Sequence, residues 1–143
     1  MCVPLEQLQA CIYAVGGSFG MKSPAYPKYG PLILAAQHLF RPVKWCDERS
    51  DGFVSDQHGR DSVAVAELAL AADGAIIAGR LQVLCNNGGY LSLGGPSMHT
   101  RNIPRNFPGP YRLPALFANT HAVFINTIPM GAYRGAGRPE GVY

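Results

Sequence analysis

Charge is what this 143-residue chain has least of. Only 15% of its residues are Asp, Glu, Lys or Arg, while 48% are hydrophobic. A free-standing soluble domain carries about a quarter charged residues, so a chain this apolar is expected to have neighbours on more than one side. The four cysteines, Cys2, Cys11, Cys46 and Cys85, include no CxxC pair. That excludes the common zinc and dithiol spacings and a disulfide ladder, and reduced thiols in the cytoplasm are the expectation. No apolar run approaches the ~20 residues needed to span a bilayer. The opening Met1-Cys-Val-Pro-Leu-Glu lacks the basic start of a secretion signal. His38, His58, His99 and His121 fall into no HExxH-like spacing, so they read as structural or solvent-exposed and not as metal ligands. There is no internal repeat and no low-complexity tract, and the length bounds the chain to at most one domain.

What is present is glycine beside arginine. The last stretch, Gly131-Ala-Tyr-Arg-Gly-Ala-Gly-Arg-Pro-Glu-Gly141, sets two arginines among glycines after a strand-like run. Glycine lets backbone approach a ligand closely and adopts positive φ at little cost. Arginine offers a planar fork of donors for phosphate or oxo groups. An earlier stretch, Gly16-Gly-Ser-Phe-Gly-Met-Lys22, has the same chemistry. Both loops are expected to hold one polar or anionic ligand between them. The plain alternative is two surface turns, with Phe19 a core residue and Arg134 paired to a carboxylate. The net charge of +3 is unevenly placed: from Tyr90 onward stand Arg101, Arg105, Arg112, Arg134 and Arg138, against Glu140 alone. Such a stretch attracts anions. Nucleic acid would need stacking aromatics interleaved with that charge, and only Phe107 and Tyr111 are close, so no nucleic-acid partner is expected.

Along the chain, Pro4 to Tyr13 reads as a short helix, with Pro4 at its first turn and Leu5, Leu8 and Ile12 on one face. Ser23 to Lys28 is a turn-rich connector. Pro31 to Phe40 is a second helix with an apolar stripe of Leu32, Ala35, Ala36, Leu39 and Phe40, stopped by Arg41-Pro42. Val43 to Glu48 reads as a strand that holds Trp45 and Cys46 in the core. Asp51-Gly52 reads as a turn and Phe53 to His58 as a further strand. Ser62 to Ala72 reads as a strand whose alternation slips near Glu67, as at a bulge; a short helix is the alternative. Asp73-Gly74 signals a hairpin, and Ala75 to Cys85 is the return strand, closed by Asn86-Asn-Gly-Gly89. The proline-rich Gly94 to Pro114 is a long irregular connection that holds an unplaced short helix. Leu116 to Thr127 is the last strand and delivers the arginine loop. The fold class is α+β, mostly antiparallel strands with two helices.

The wording GGSFGMK followed by GAYRGAGRPEG resembles the molybdenum hydroxylases: xanthine dehydrogenase, aldehyde oxidase and the carbon monoxide dehydrogenase large subunit. Arg41-Pro-Val-Lys-Trp-Cys-Asp-Glu-Arg49, His58-Gly-Arg-Asp61 and Gly109-Pro-Tyr-Arg-Leu-Pro114 agree with it. The resemblance covers residues 15–143, as part of a molybdopterin-binding domain, and leaves 1–14 as a divergent segment. Large subunits of that family are several times longer, so the chain looks like an internal piece or a truncated product.

The resemblance implies a molybdopterin cofactor, in the cytosine-dinucleotide form. It implies Gly17, Ser18, Phe19, Gly20, Arg134, Gly135 and Ala136 as cofactor-binding residues. Phe19 and Arg134 are expected to sit beside the metal without ligating it, and Arg134 and Gly135 to serve catalysis. It implies the remaining large-subunit segments, iron–sulfur and FAD-carrying subunits, and a small-molecule substrate as partners. Gly135 stands where copper-containing relatives have cysteine. Ser23 and Ala136 replace an acid and a stacking phenylalanine of purine-oxidising members. An aldehyde or small heterocycle is therefore the expected substrate. The family's glutamate general base lies beyond Tyr143, and Glu140 matches a position inside the arginine loop, so no turnover is expected from this chain alone. Alternatives are a non-catalytic remnant, a piece of a split subunit, or a general anion-binding module.

Overall fold

The structure is a computed structural model and describes residues 3–143. Its centre is a hairpin. β1 (Ser62–Leu70) pairs antiparallel with β2 (Ile76–Asn86), joined through Asp73 and Gly74. Gly74 takes φ +86, and Ala75 N–H donates to Asp73 Oδ1 at 3.0 Å, a turn that glycine and aspartate favour together. The alternation does slip, but between Ala69 and Leu70, next to the turn, and not at Glu67.

β3 (Ala115–Val123) adds to the other edge of β2 and runs parallel to it, giving the order β1-β2-β3. A parallel neighbour requires a crossover connection, and residues 87–114 provide it. That connection contains a nearly continuous helical run: α3 (Gly95–Ser97), a π-helical turn (Met98–Asn102) and α4 (Ile103–Asn106). The run covers one face of the sheet. Leu81, Val83 and Cys85 point to it from alternate positions of β2 and, with Ile103, form a small core edged by Phe107.

α1 (Tyr29–Leu39) and α2 (Arg49–Ser55) precede the hairpin, and α5 (Arg138–Val142) closes the chain. The chain is α+β. Four sequence expectations are corrected. Residues 4–13 form only a single 3-10 turn, Leu5–Gln7, with Leu5 and Ile12 over 80% exposed; so short a helix needs tertiary support, and none reaches it. Val43 to Glu48 forms no strand, and Trp45 and Cys46 are exposed. The stretch read as a turn and a strand from Asp51 to His58 is largely α2. Asp51 accepts from Glu48 N–H at 3.2 Å, so the aspartate caps a helix start where a turn was expected. The last strand ends at Val123 and not at Thr127.

Beyond β3 the chain is threaded through a polar knot. Asn86 Nδ2 donates to Asp61 Oδ2 at 2.6 Å and to Thr127 Oγ1 at 2.9 Å, and Gly88 N–H donates to Asn86 Oδ1. Gly88 has φ +76, and a Cβ there would overlap the backbone of Ile128 and Pro129. Only glycine allows the two segments this close. The exit directs Met130 alongside His58, where a single parallel bridge forms.

Candidate functional site

That bridge brings the two glycine loops together. His58 N–H donates to Pro129 O at 3.2 Å and Gly131 N–H donates to His58 O at 2.8 Å. Three residues further on, Arg134 N–H donates to Phe19 O at 2.7 Å, and the Arg134 guanidinium lies over the Phe19 ring at 5.8 Å. Stacking of this kind is mildly attractive. Gly20 has φ +97, and a Cβ on it would stand 2.8 Å from Ala132 O. The loops are therefore in backbone contact, although 115 positions separate Phe19 from Arg134.

Strain concentrates at this contact. Among the described residues five non-glycine positions have positive φ: Phe19, Phe40, Arg60, Arg134 and Ala136. All but Phe40 belong to the two loops or touch them. Each such residue costs on the order of 1–3 kcal/mol and persists only where its surroundings hold it. Strain of this sort collects at ligand clamps and active sites.

The individual residues fall as follows. Gly17 is packed by the Phe19 ring, and Ser18 Oγ accepts from Lys22 N–H at 3.2 Å, so both shape the first loop from inside. Phe19 is 59% exposed and is not a core residue. Arg134 joins no salt bridge among the described residues. The plain reading of a core phenylalanine and a paired arginine thus finds no support. Gly135 packs against the Pro139 ring, and Ala136 O accepts from Asn102 Nδ2 at 2.9 Å. Among the described residues the N–H groups of Phe19, Gly20 and Gly135 donate to no protein acceptor. The donor set is therefore backbone amides plus one uncommitted guanidinium, which suits an anionic or oxo-bearing group. The loops form an open ledge. A hollow of about 490 Å³, lined by Glu67, Arg80, Leu116 and Phe117 among others, lies on the sheet away from them.

Two contributors went unread in the sequence. Gln57 is 2% exposed, and its Nε2 reaches both Gly20 O and Ala132 O at 3.4 Å. Arg60 donates through Nη1 to Tyr133 O at 2.9 Å and through Nη2 to Arg134 O at 2.6 Å. His58-Gly-Arg-Asp61 was legible as a family marker, but nothing in the wording assigned it a role. Beneath the arginine loop lies His99, buried on the π-helical turn, with neither ring nitrogen bonded. Burial holds its pKa below the ordinary value, against the opposing pull of Glu140 and Asp61. Burial likewise pushes the Cys85 thiol up to about 12, with Glu140 adding to the shift, so this cysteine is an inert core group.

A ledge of backbone donors between two strained glycine loops defines a piece of a cofactor-binding domain. The comparisons specify which. The chain belongs to the molybdopterin cofactor-binding domain family, whose sequence model matches residues 1–143. It is 39% identical over 129 residues to the 6-hydroxypseudooxynicotine dehydrogenase complex subunit gamma of Paenarthrobacter nicotinovorans, covering 90% of this chain and 16% of that protein. It is 31% identical over 143 residues to the carbon monoxide dehydrogenase large chain of Hydrogenophaga pseudoflava, covering 99% of this chain and 18% of that protein. Among solved structures, quinoline 2-oxidoreductase from Pseudomonas putida 86 superimposes with a TM-score of 0.79 at 31% identity, over 86% of this chain and 16% of that one. The chain thus spans less than a fifth of the relatives it matches.

Proposed function

We propose that residues 15–143 supply two loops to the molybdopterin site of a molybdenum-dependent hydroxylase or dehydrogenase large subunit. The observation that carries this reading is the bond from Arg134 N–H to Phe19 O at 2.7 Å, within a cluster of strained residues. Gly17, Ser18, Phe19 and Gly20 form one wall of the site; Arg134, Gly135 and Ala136 form the other. The unpartnered amides of Phe19, Gly20 and Gly135 would hold oxo or phosphate oxygens of the bound group, and preorganised backbone donors need no reorganisation when charge develops. Arg134 adds positive charge at the same ledge, beside the metal and not ligating it. The molybdenum–pterin group, when bound, supplies the redox centre that accepts electrons from the substrate.

The finer reading follows the family. The pterin is in the cytosine-dinucleotide form, and electrons leave through iron–sulfur and FAD-bearing subunits in the cytoplasm. The substrate is a small heterocycle or an aldehyde. The names of the relatives, with quinoline and 6-hydroxypseudooxynicotine among them, favour the heterocycle. Glu140 is not the general base: its Oε1 faces Arg60 at 3.9 Å, on the inner side of the loop. Turnover therefore needs a carboxylate from outside this chain. The exposed apolar surface, including Phe40 at 92% and Phe53 at 74%, fits a piece that docks into a larger body. The test is to assay the purified chain, alone and with its partner subunits, for aldehyde or heterocycle oxidation with a dye acceptor. We expect turnover only from the assembly. Turnover by the chain alone would refute the reading of its chemistry.

A further inference from the structure

We propose that Arg60 and Gln57 are positioning residues, which hold the two loops in their binding geometry before any cofactor arrives. This rests on the reading that the loops share one ligand. Among the described residues no regular secondary structure joins the loops, and one backbone bond between them must hold against the strain stored at Phe19, Arg134 and Ala136.

Arg60 acts on two successive peptide planes. In a trans peptide the C=O and the following N–H point in opposite directions. Nη1 grips Tyr133 O, which fixes the Arg134 N–H that bonds Phe19 O. Nη2 grips Arg134 O, which fixes the Gly135 N–H, one of the unpartnered donors of the ledge. The planar guanidinium suits such two-point contact, and lysine does not reproduce it. Arg60 is itself held by stacking on the Tyr133 ring at 5.7 Å and by Glu140 Oε1 at 3.9 Å. It takes φ 70 to reach that position.

Gln57 acts across the gap. Its buried amide nitrogen spans Gly20 O on one loop and Ala132 O on the other. Gly131 has no side chain because Gln57 occupies the space a Cβ would need. Thus one tetrapeptide, Gln57 to Arg60, touches both loops, and its Gln57 and Arg60 side chains do so through carbonyls, leaving the Phe19, Gly20 and Gly135 amides free.

The test is amide hydrogen exchange of the full chain, read at Arg134 and Gly135, with Leu81 and Val83 of β2 as references. Arg60→Ala is expected to speed exchange at Arg134 by at least about tenfold, which losing even one hydrogen bond to a charged group would give, with the references unchanged. Arg60→Lys should fall between the two, and Gln57→Leu should speed Arg134 without an arginine change. Unaltered Arg134 exchange in Arg60→Ala, or equal acceleration at Leu81 and Val83, would overturn the proposal. Should Arg60→Ala not fold, Arg60→Lys and Gln57→Leu decide it: Arg134 exchange as slow as in the unaltered chain in both would overturn it. The partner-assembled complex supplies the second arm. Molybdenum content should drop several-fold in Arg60→Ala and recover in part in Arg60→Lys, and equal content in all three would overturn the proposal as it bears on the cofactor. If even the unaltered complex holds no molybdenum, the cofactor reading fails, while the exchange result still decides the clamp.

Discussion

The hairpin and the loop ledge are built on opposite principles. β2 follows a two-residue alternation that buries Leu81, Val83 and Cys85 on one face and leaves Arg80, Gln82 and Leu84 on the other, and the exposed β1 pairs along its edge. Their geometry is relaxed and local, and hydrophobic burial stabilises it. The ledge has almost no apolar burial. It consists of turns with positive φ held by backbone and side-chain hydrogen bonds between distant segments. The lesson is that this chain separates its stability from its candidate site: the sheet tolerates the strain, and the loops use it to keep backbone donors unpartnered.

Changes confined to one region should therefore spare the other, and a change at a residue that joins them should reach both. The largest effect is expected from Ile103→Ala. Ile103 is fully buried against the sheet and also packs under Gly137 and Gly141. Truncation should cost about 2–5 kcal/mol, seen as a lower denaturant midpoint by circular dichroism, and should loosen both regions because this residue joins them. Gly20→Ala comes next. A methyl group would meet Ala132 O at φ +97, so the loops should part at a cost of about 1–3 kcal/mol. Molybdenum retention should fall while β2 amide protection stays unchanged.

A smaller effect should come from His99. Its folded pKa lies below the ordinary 6.5 because it is buried. As pH falls the unfolded chain takes up the proton first, so stability should decline below about pH 6.5. His99→Gln should flatten that slope in pH-dependent melting; an unchanged slope would show that another group sets it. The smallest effect belongs to Glu67→Gln. Arg80 holds the Glu67 carboxylate below its usual range, but the pair is exposed on the outer face of the hairpin. No measurable shift in midpoint is expected at moderate salt.

The same contrast explains what could be read from the residues. The hairpin was legible because Asp73-Gly74 and the alternation from Ala75 to Cys85 are local signals. α1 was legible from its stripe and the Arg41-Pro42 stop. α2 was not: Asp51-Gly52 suits a turn as well as a helix start, and only Glu48 N–H bonding to Asp51 decides between them. Trp45 and Cys46 read as core because apolar type alone predicts burial, but no segment among the described residues covers them. The parallel sense of β3 depends on where the crossover packs, a tertiary fact that no turn residue encodes. At the ledge the glycine–arginine wording located both loops, while Gln57 and Arg60 stayed silent. They act on carbonyls of residues 20 and 132–134, and side chains that bind remote backbone leave no periodicity or spacing.

The most direct measurement is the molybdenum-to-chain ratio after the chain is purified together with the large-subunit segments and the iron–sulfur and flavin subunits proposed for it. It should be made for the unaltered chain, for Gly20→Ala and for Gly135→Ala. If the two loops share one molybdenum–pterin group, the unaltered chain carries molybdenum in equimolar amount and each single variant loses most of it. Full molybdenum in both variants, or none in the unaltered assembly, would contradict the account.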